Sequence, residues 1–107
     1  MDHKSIIAYK TMDNTKELLK EWQDKLEIAH WNITTERIDP KQVVYDGEDY
    51  FIGIAIDWDT LKGVIYHDID LNEEAIVHEL LHVRYPTEGE DWVNETTRQL
   101  LHSKYKY

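Results

Sequence analysis

Five consecutive residues carry the clearest chemistry in the chain: His78-Glu79-Leu80-Leu81-His82. On a helix, histidines four apart project from one face, one turn above the other, so both imidazoles can reach a single metal ion. Zn²⁺ is the default ion for two neutral imidazoles plus a carboxylate. Glu79 adjoins the first histidine, where it can act as general base toward a water whose pKa the ion lowers from about 15.7 to about 7. The bland alternative is a surface helix with two solvated histidines and a charged glutamate.

A catalytic site of this kind needs a third protein ligand. Glu95 lies thirteen residues after His82 and two turns inside the next expected helix. A helix crossing back after a short turn would return that carboxylate to the histidines, so Glu95 is the preferred ligand. His102 is the second candidate. Glu88 is discounted, because as the first helical residue after a Thr87 cap it has an ordinary role at the helix dipole.

Stabilising an oxyanion calls for a further electrophile. His102, seven residues beyond Glu95 and on nearly the same helix face, is the catalytic candidate; Tyr85, Tyr105 and His67 are rivals. Asp91, Glu74 and Asp70 could orient a ligating histidine.

These residues need elements to hold them. Residues 14–30 read as an amphipathic helix, with Leu18, Leu19, Trp22, Leu26 and Ala29 on one face and Asn14 and Thr15 as caps. Residues 3–10 fit a short strand or an arm. Residues 31–38 read as a strand ended by Pro40. Residues 50–58 read as a central strand, and a turn over 59–63 returns 64–69 as its hairpin partner. Asp70-Leu71-Asn72-Glu73 is a capping-box sequence opening a helix over 72–84, which Tyr85-Pro86 stops. Thr87-Glu88-Gly89-Glu90 is a second capping box, before a last helix to about Ser103. The order is α-β-β-β-α-α. The four tryptophans, Trp22, Trp31, Trp58 and Trp92, are expected in the core.

Composition narrows the function classes. The 107 residues carry 22 acidic and 12 basic side chains, a formal charge of −10, and fit one domain. With no cysteine, a disulfide scaffold, a thiolate nucleophile and a Cys-built zinc finger are excluded. The strong negative charge argues against nucleic acid as a partner. The longest apolar run, Phe51 to Ile56, is far below the roughly 20 residues of a membrane span. Residues 1–17 show no secretory h-region, so a cytoplasmic protein without a membrane partner is expected.

Two stretches carry a family resemblance. Asp91-Trp92-Val93-Asn94-Glu95 resembles the glutamate helix of gluzincin metallopeptidases, and Ile76 to Pro86 is similar to the active-site helix of small zincins. Size and element order together resemble the minigluzincins, minimal single-domain members. The resemblance covers most of the chain from Asn14 onward, with residues 76–95 its specific part. It implies an α+β minimal zincin fold, with a small twisted sheet packed on a backing helix and an active-site helix. It implies a zinc metalloendopeptidase with ligands His78, His82 and Glu95 and with Glu79 as general base and acid. It also implies an upper-rim strand, here Val64–Ile69, that pairs with an extended peptide or protein substrate. Minigluzincins are zymogens blocked by their own C-terminal segment, which points to residues 102–107 as an inhibitor. The chain departs in its short His-to-Glu spacing, in Thr96 where a small residue often follows the ligand glutamate, and in lacking a large C-terminal subdomain. A second resemblance is to repressor-cleaving regulatory metallopeptidases of phage and mobile elements. A different class altogether is a catalytically silent metal-binding or protein-interaction module.

Overall fold

The computed structural model describes residues 3–39 and 50–106, with side chains described from Asn14 onward. Pro40, expected to end the first strand, and Tyr107 lie outside the described residues. The first helix, α1, spans His3–Lys25, so residues 3–10 are helical rather than strand or arm, and Asn14 and Thr15 lie inside the helix instead of capping it. No glycine or proline precedes Pro40 to interrupt it earlier.

The helix stops five residues before the expected end. Glu27 adopts φ 63°, the Ile28 N–H donates to the Gln23 carbonyl (2.8 Å), and the Glu27 N–H donates to Asp24 (3.2 Å). That is a Schellman closure built without glycine. The turn buries Ile28 and leaves Ala29 exposed. The Gln23 amide fastens the following loop by donating to the carbonyls of Ile28 (3.1 Å) and Trp31 (2.9 Å).

Three strands follow: β1 (Asn32–Arg37), β2 (Ile52–Asp57) and β3 (Lys62–His67). β2 and β3 form the expected antiparallel hairpin, with Ile54 opposite Ile65. The Asp57 carboxylate accepts from the N–H groups of Asp59 and Thr60, and Leu61 supplies the left-handed residue at φ 56°. The sheet order is β1-β3-β2, with β1 parallel to β3. This corrects two expectations. The central strand is β3, not residues 50–58, and residues 64–69 are therefore not an edge that could receive a peptide. The edge strand beside the second helix is β2. At the centre, Gly63 lets the sheet close, since a Cβ there would stand 2.9 Å from Ile33 Cδ1 and 3.4 Å from Ile54 Cδ1.

Helix α2 (Glu73–Arg84) is capped by Asn72, not Asp70: the Asn72 side chain accepts from the Ala75 N–H at 2.8 Å. Asp70 is instead held by Arg37 at 2.6 Å. α2 buries Ile76, Val77, Leu80, Leu81 and Val83, a nearly complete girdle. Helix α3 (Glu90–Tyr105) starts from Gly89 rather than Thr87 and buries Val93 and Thr97. The core joins these residues to Leu19, Trp22 and Leu26 of α1, to Trp31 and Ile33, and to Ile65 of β3. Trp58 and Trp92, expected inside, are 48% and 38% exposed.

The far end of α3 is fastened by charge. Glu73 accepts from Trp22 Nε1 (2.6 Å), from Lys104 Nζ (2.6 Å) and from the Tyr105 hydroxyl. Lys104 also reaches Glu21 at 3.0 Å. Burial opposes ionisation of Glu73, but the bonds from Lys104, Tyr105 and Trp22 outweigh it and hold the carboxyl below the usual range. The stability this gives is present above the unfolded-state pKa and is lost as pH falls through the lowered one. Glu73→Gln should lower unfolding stability by about 1–3 kcal/mol at pH 7. The deficit should shrink below about pH 4.5 in urea titrations followed by circular dichroism.

Candidate metal centre

The two histidines of α2 sit on its solvent-facing stripe, both partly exposed. Their Nε2 atoms are 3.3 Å apart. Glu90, the first residue of α3, brings its carboxylate to 2.6 Å from His82 Nε2 and 3.5 Å from His78 Nε2. His78, His82 and Glu90 form a group able to hold a metal ion, with ligand atoms all within 4.8 Å of one another.

Two of the three separations fit a shared metal ion, whereas the 2.6 Å contact between His82 and Glu90 has the length of a hydrogen bond. A tetrahedral ion with bonds of about 2.0–2.2 Å spaces its donors about 3.3–3.5 Å apart. The His–His and His78–Glu90 separations have that length. The donor set, two imidazoles and a carboxylate, matches the chemistry of a borderline divalent ion.

Helical phase explains which carboxylate arrives. The short connection Tyr85–Gly89 delivers the first turn of α3 to the open side of α2. Glu90 shares a face with the buried Val93 and Thr97, whereas Glu95 is five residues on, about 140° around the helix. Glu95 is exposed, pairs with Arg98 and accepts from the Gln99 amide at 3.3 Å, so it does not join the group. His102 is exposed on the same outer side, and Glu88 is exposed and outside the group. With Thr87 as cap, the second capping box puts Glu90 at the third helical position. The signal available was Gly89, a permitted N-cap that makes residue 90 the first helical position.

Glu79 lies on the floor beside the histidines, 6% exposed, with no hydrogen-bond partner among the described residues. Burial, and secondarily the negative charge of Glu90, push its carboxyl up to about 7.

A cleft runs over this floor between β2 and α2. One depression, of about 440 Å³, includes Ile54, Ile56, Trp58 and Pro86; a second, of about 530 Å³, includes Tyr50, Glu74 and Asn94. They share Ile52, His78, Glu79 and Glu90. The expected electrophiles are elsewhere. His67 contacts the Ile69 carbonyl at 2.7 Å, Tyr85 packs edge-on against Trp92, and Tyr105 binds Glu73. Among the described residues, nothing beyond Asn94 lines either depression. Within residues 102–107, Lys104 and Tyr105 are fastened to α1 and α2, and Tyr107 lies outside the described residues. Of the orienting carboxylates considered, Glu74 and Asp70 border the second depression and Asp91 borders neither.

No family model, curated protein or solved structure matches the chain. Among the described residues, no helix is long and apolar enough to cross a membrane.

The two carboxylates can be told apart by metal affinity. Glu90→Ala should weaken zinc binding at least about tenfold, the scale already set by losing a residue that only orients a ligand. Glu95→Ala should leave it within about twofold on the same scale. Competition against a chromophoric chelator measures both, and the reverse pattern would return the role to Glu95.

The raised carboxyl of Glu79 gives a second prediction for chelator-stripped protein. The folded state keeps that proton to about pH 7 while the unfolded chain loses it near 4.5, so stability falls as pH rises between them. Glu79→Gln should therefore be more stable than wild type at pH 8 by an amount on the order of 2–3 kcal/mol, and nearly matched at pH 5. Urea unfolding at both pH values is the measurement.

Proposed function

We propose that the chain is a zinc-dependent metallopeptidase that hydrolyses peptide bonds. The observation that carries this reading is the convergence of His78, His82 and Glu90 beside a buried Glu79, without a partner among the described residues, on the floor of a cleft. His78, His82 and Glu90 would hold the ion. A bound zinc ion supplies Lewis acidity toward a water and a peptide carbonyl.

Glu79 does the proton work. Its carboxylate takes a proton from the water that adds to the carbonyl carbon, and returns it to the amine nitrogen as the C–N bond breaks. Its burial keeps the proton carrier out of competition with bulk water, and among the described residues the cleft leaves the floor accessible to a chain without its ends being threaded. The resemblance of residues 76–86 to a small-zincin active-site helix supports the same reading.

Glu79→Gln in zinc-loaded protein should lower peptide hydrolysis by about 10²–10⁴-fold. Zinc stoichiometry, read by atomic absorption, should stay at the wild-type value. Hydrolysis at the wild-type rate in the variant would remove Glu79 from the mechanism. Stoichiometric zinc in a wild-type chain that cleaves no member of a mixed peptide library would leave a metal-binding module instead.

A further inference from the structure

β2 and α2 run in the same direction along the two walls of the cleft, and the carboxylates beyond Glu79 and Glu90 lie toward one end of it. Toward their C-terminal ends the histidines and Glu90 are joined by the apolar side chains of Ile54, Ile56, Trp58 and Pro86. Trp58 is 48% exposed, yet it is held by an edge-on contact with the buried Trp31 ring, centroids 5.3 Å apart. A restrained, half-exposed indole is a flat wall for an apolar side chain.

Toward the N-terminal ends the lining mixes apolar Phe51, Ile69 and Ala75 with the acidic side chains of Asp70 and Glu74. Arg37 matches the charge of Asp70 at 2.6 Å, and the Asn72 side-chain Oδ1 is committed to the Ala75 N–H. Glu74 has no cationic partner among the described residues, and no Lys or Arg among them lines either depression. At the junction, Glu79 is more than nine-tenths buried, has no partner among the described residues and lines the space both halves share. A cleft of this charge on a chain of net −10 attracts cations and repels anions. Glu74 stands one helical turn from His78, roughly 6 Å, which is about two residues of an extended peptide.

We propose that the cleft selects peptides with a bulky apolar side chain on one side of the scissile bond, against Trp58 and Pro86, and a Lys or Arg on the other, facing Glu74. The substrate assignment rests on the peptidase reading above.

Binding separates the two claims. Labelled hexapeptides pairing Leu or Phe with Lys, in both orders, would be compared with Glu-for-Lys and Ala-for-Leu counterparts. Fluorescence anisotropy would be read on metal-free wild type and on zinc-loaded Glu79→Gln. The apolar–Lys peptide, in one order, should bind about five- to tenfold tighter than its Glu counterpart, with the gap narrowing at high salt. Glu74→Lys, an exposed position, should reverse the Lys-over-Glu order, and Trp58→Ala should erase the Leu-over-Ala order. Equal binding of the Lys and Glu peptides, or an order untouched by Glu74→Lys, overturns the proposal. Zinc-loaded wild type is then assayed for cleavage of the same peptides. Selective binding without cleavage sinks the peptidase reading and leaves the cleft's selectivity standing, whereas cleavage without selectivity does the opposite.

Discussion

Everything in this small protein depends on how α2 is gripped. Its apolar residues face α1, the sheet and α3 at once, so burial holds it on nearly all sides. Polar contacts then fix its ends. Asn72 caps the start, Glu73 ties it to Trp22 and Lys104, and the Arg84 Nε donates to the Leu26 carbonyl at 3.1 Å. The stripe left open is the one that carries His78 and His82. A helix held this way cannot rotate to hide or separate two imidazoles, which is what a metal site requires of its scaffold.

The same grip creates a local cost. Glu79 is carried into the apolar flank of α2 without a hydrogen bond among the described residues, and with the Glu90 carboxylate nearby. Buried carboxylates of this kind destabilise a fold once ionised. A cation held by His78, His82 and Glu90 would offset that cost, so the feature that weakens the metal-free chain is the one that would serve chemistry. The Glu73–Lys104 cluster lies at the opposite end of α3 and does the reverse, using paired charges to stabilise.

Local patterns were legible where local physics decides. The hairpin followed from two β-rich runs around Asp-Thr-Leu-Lys-Gly, and α2 from its apolar spacing and its Pro86 stop. Caps were misplaced by two residues at both α2 and α3, because Asp70 and Thr87 have capping side chains that the chain uses otherwise or not at all. The end of α1 was hidden because glutamate rarely occupies the left-handed position that Glu27 takes. The apolar run of β2 read as a central strand. Its isoleucines are half-buried on a sheet edge, where they pack against the core and also line the cleft.

The sequence by itself determined that two imidazoles share a helix face with a carboxylate beside them, because 3.6 residues per turn makes that a property of spacing alone. It also determined an α+β chain of three helices and three strands. Only the tertiary structure decided that β3 lies between its neighbours, because parallel pairing of β1 with β3 joins segments far apart in the chain. Only the tertiary structure decided that Glu90 meets the histidines while Glu95 turns away. That choice depends on the phase with which a new helix starts after a short turn, and a shift of a residue or two in that start rotates every later side chain by roughly 100–200°.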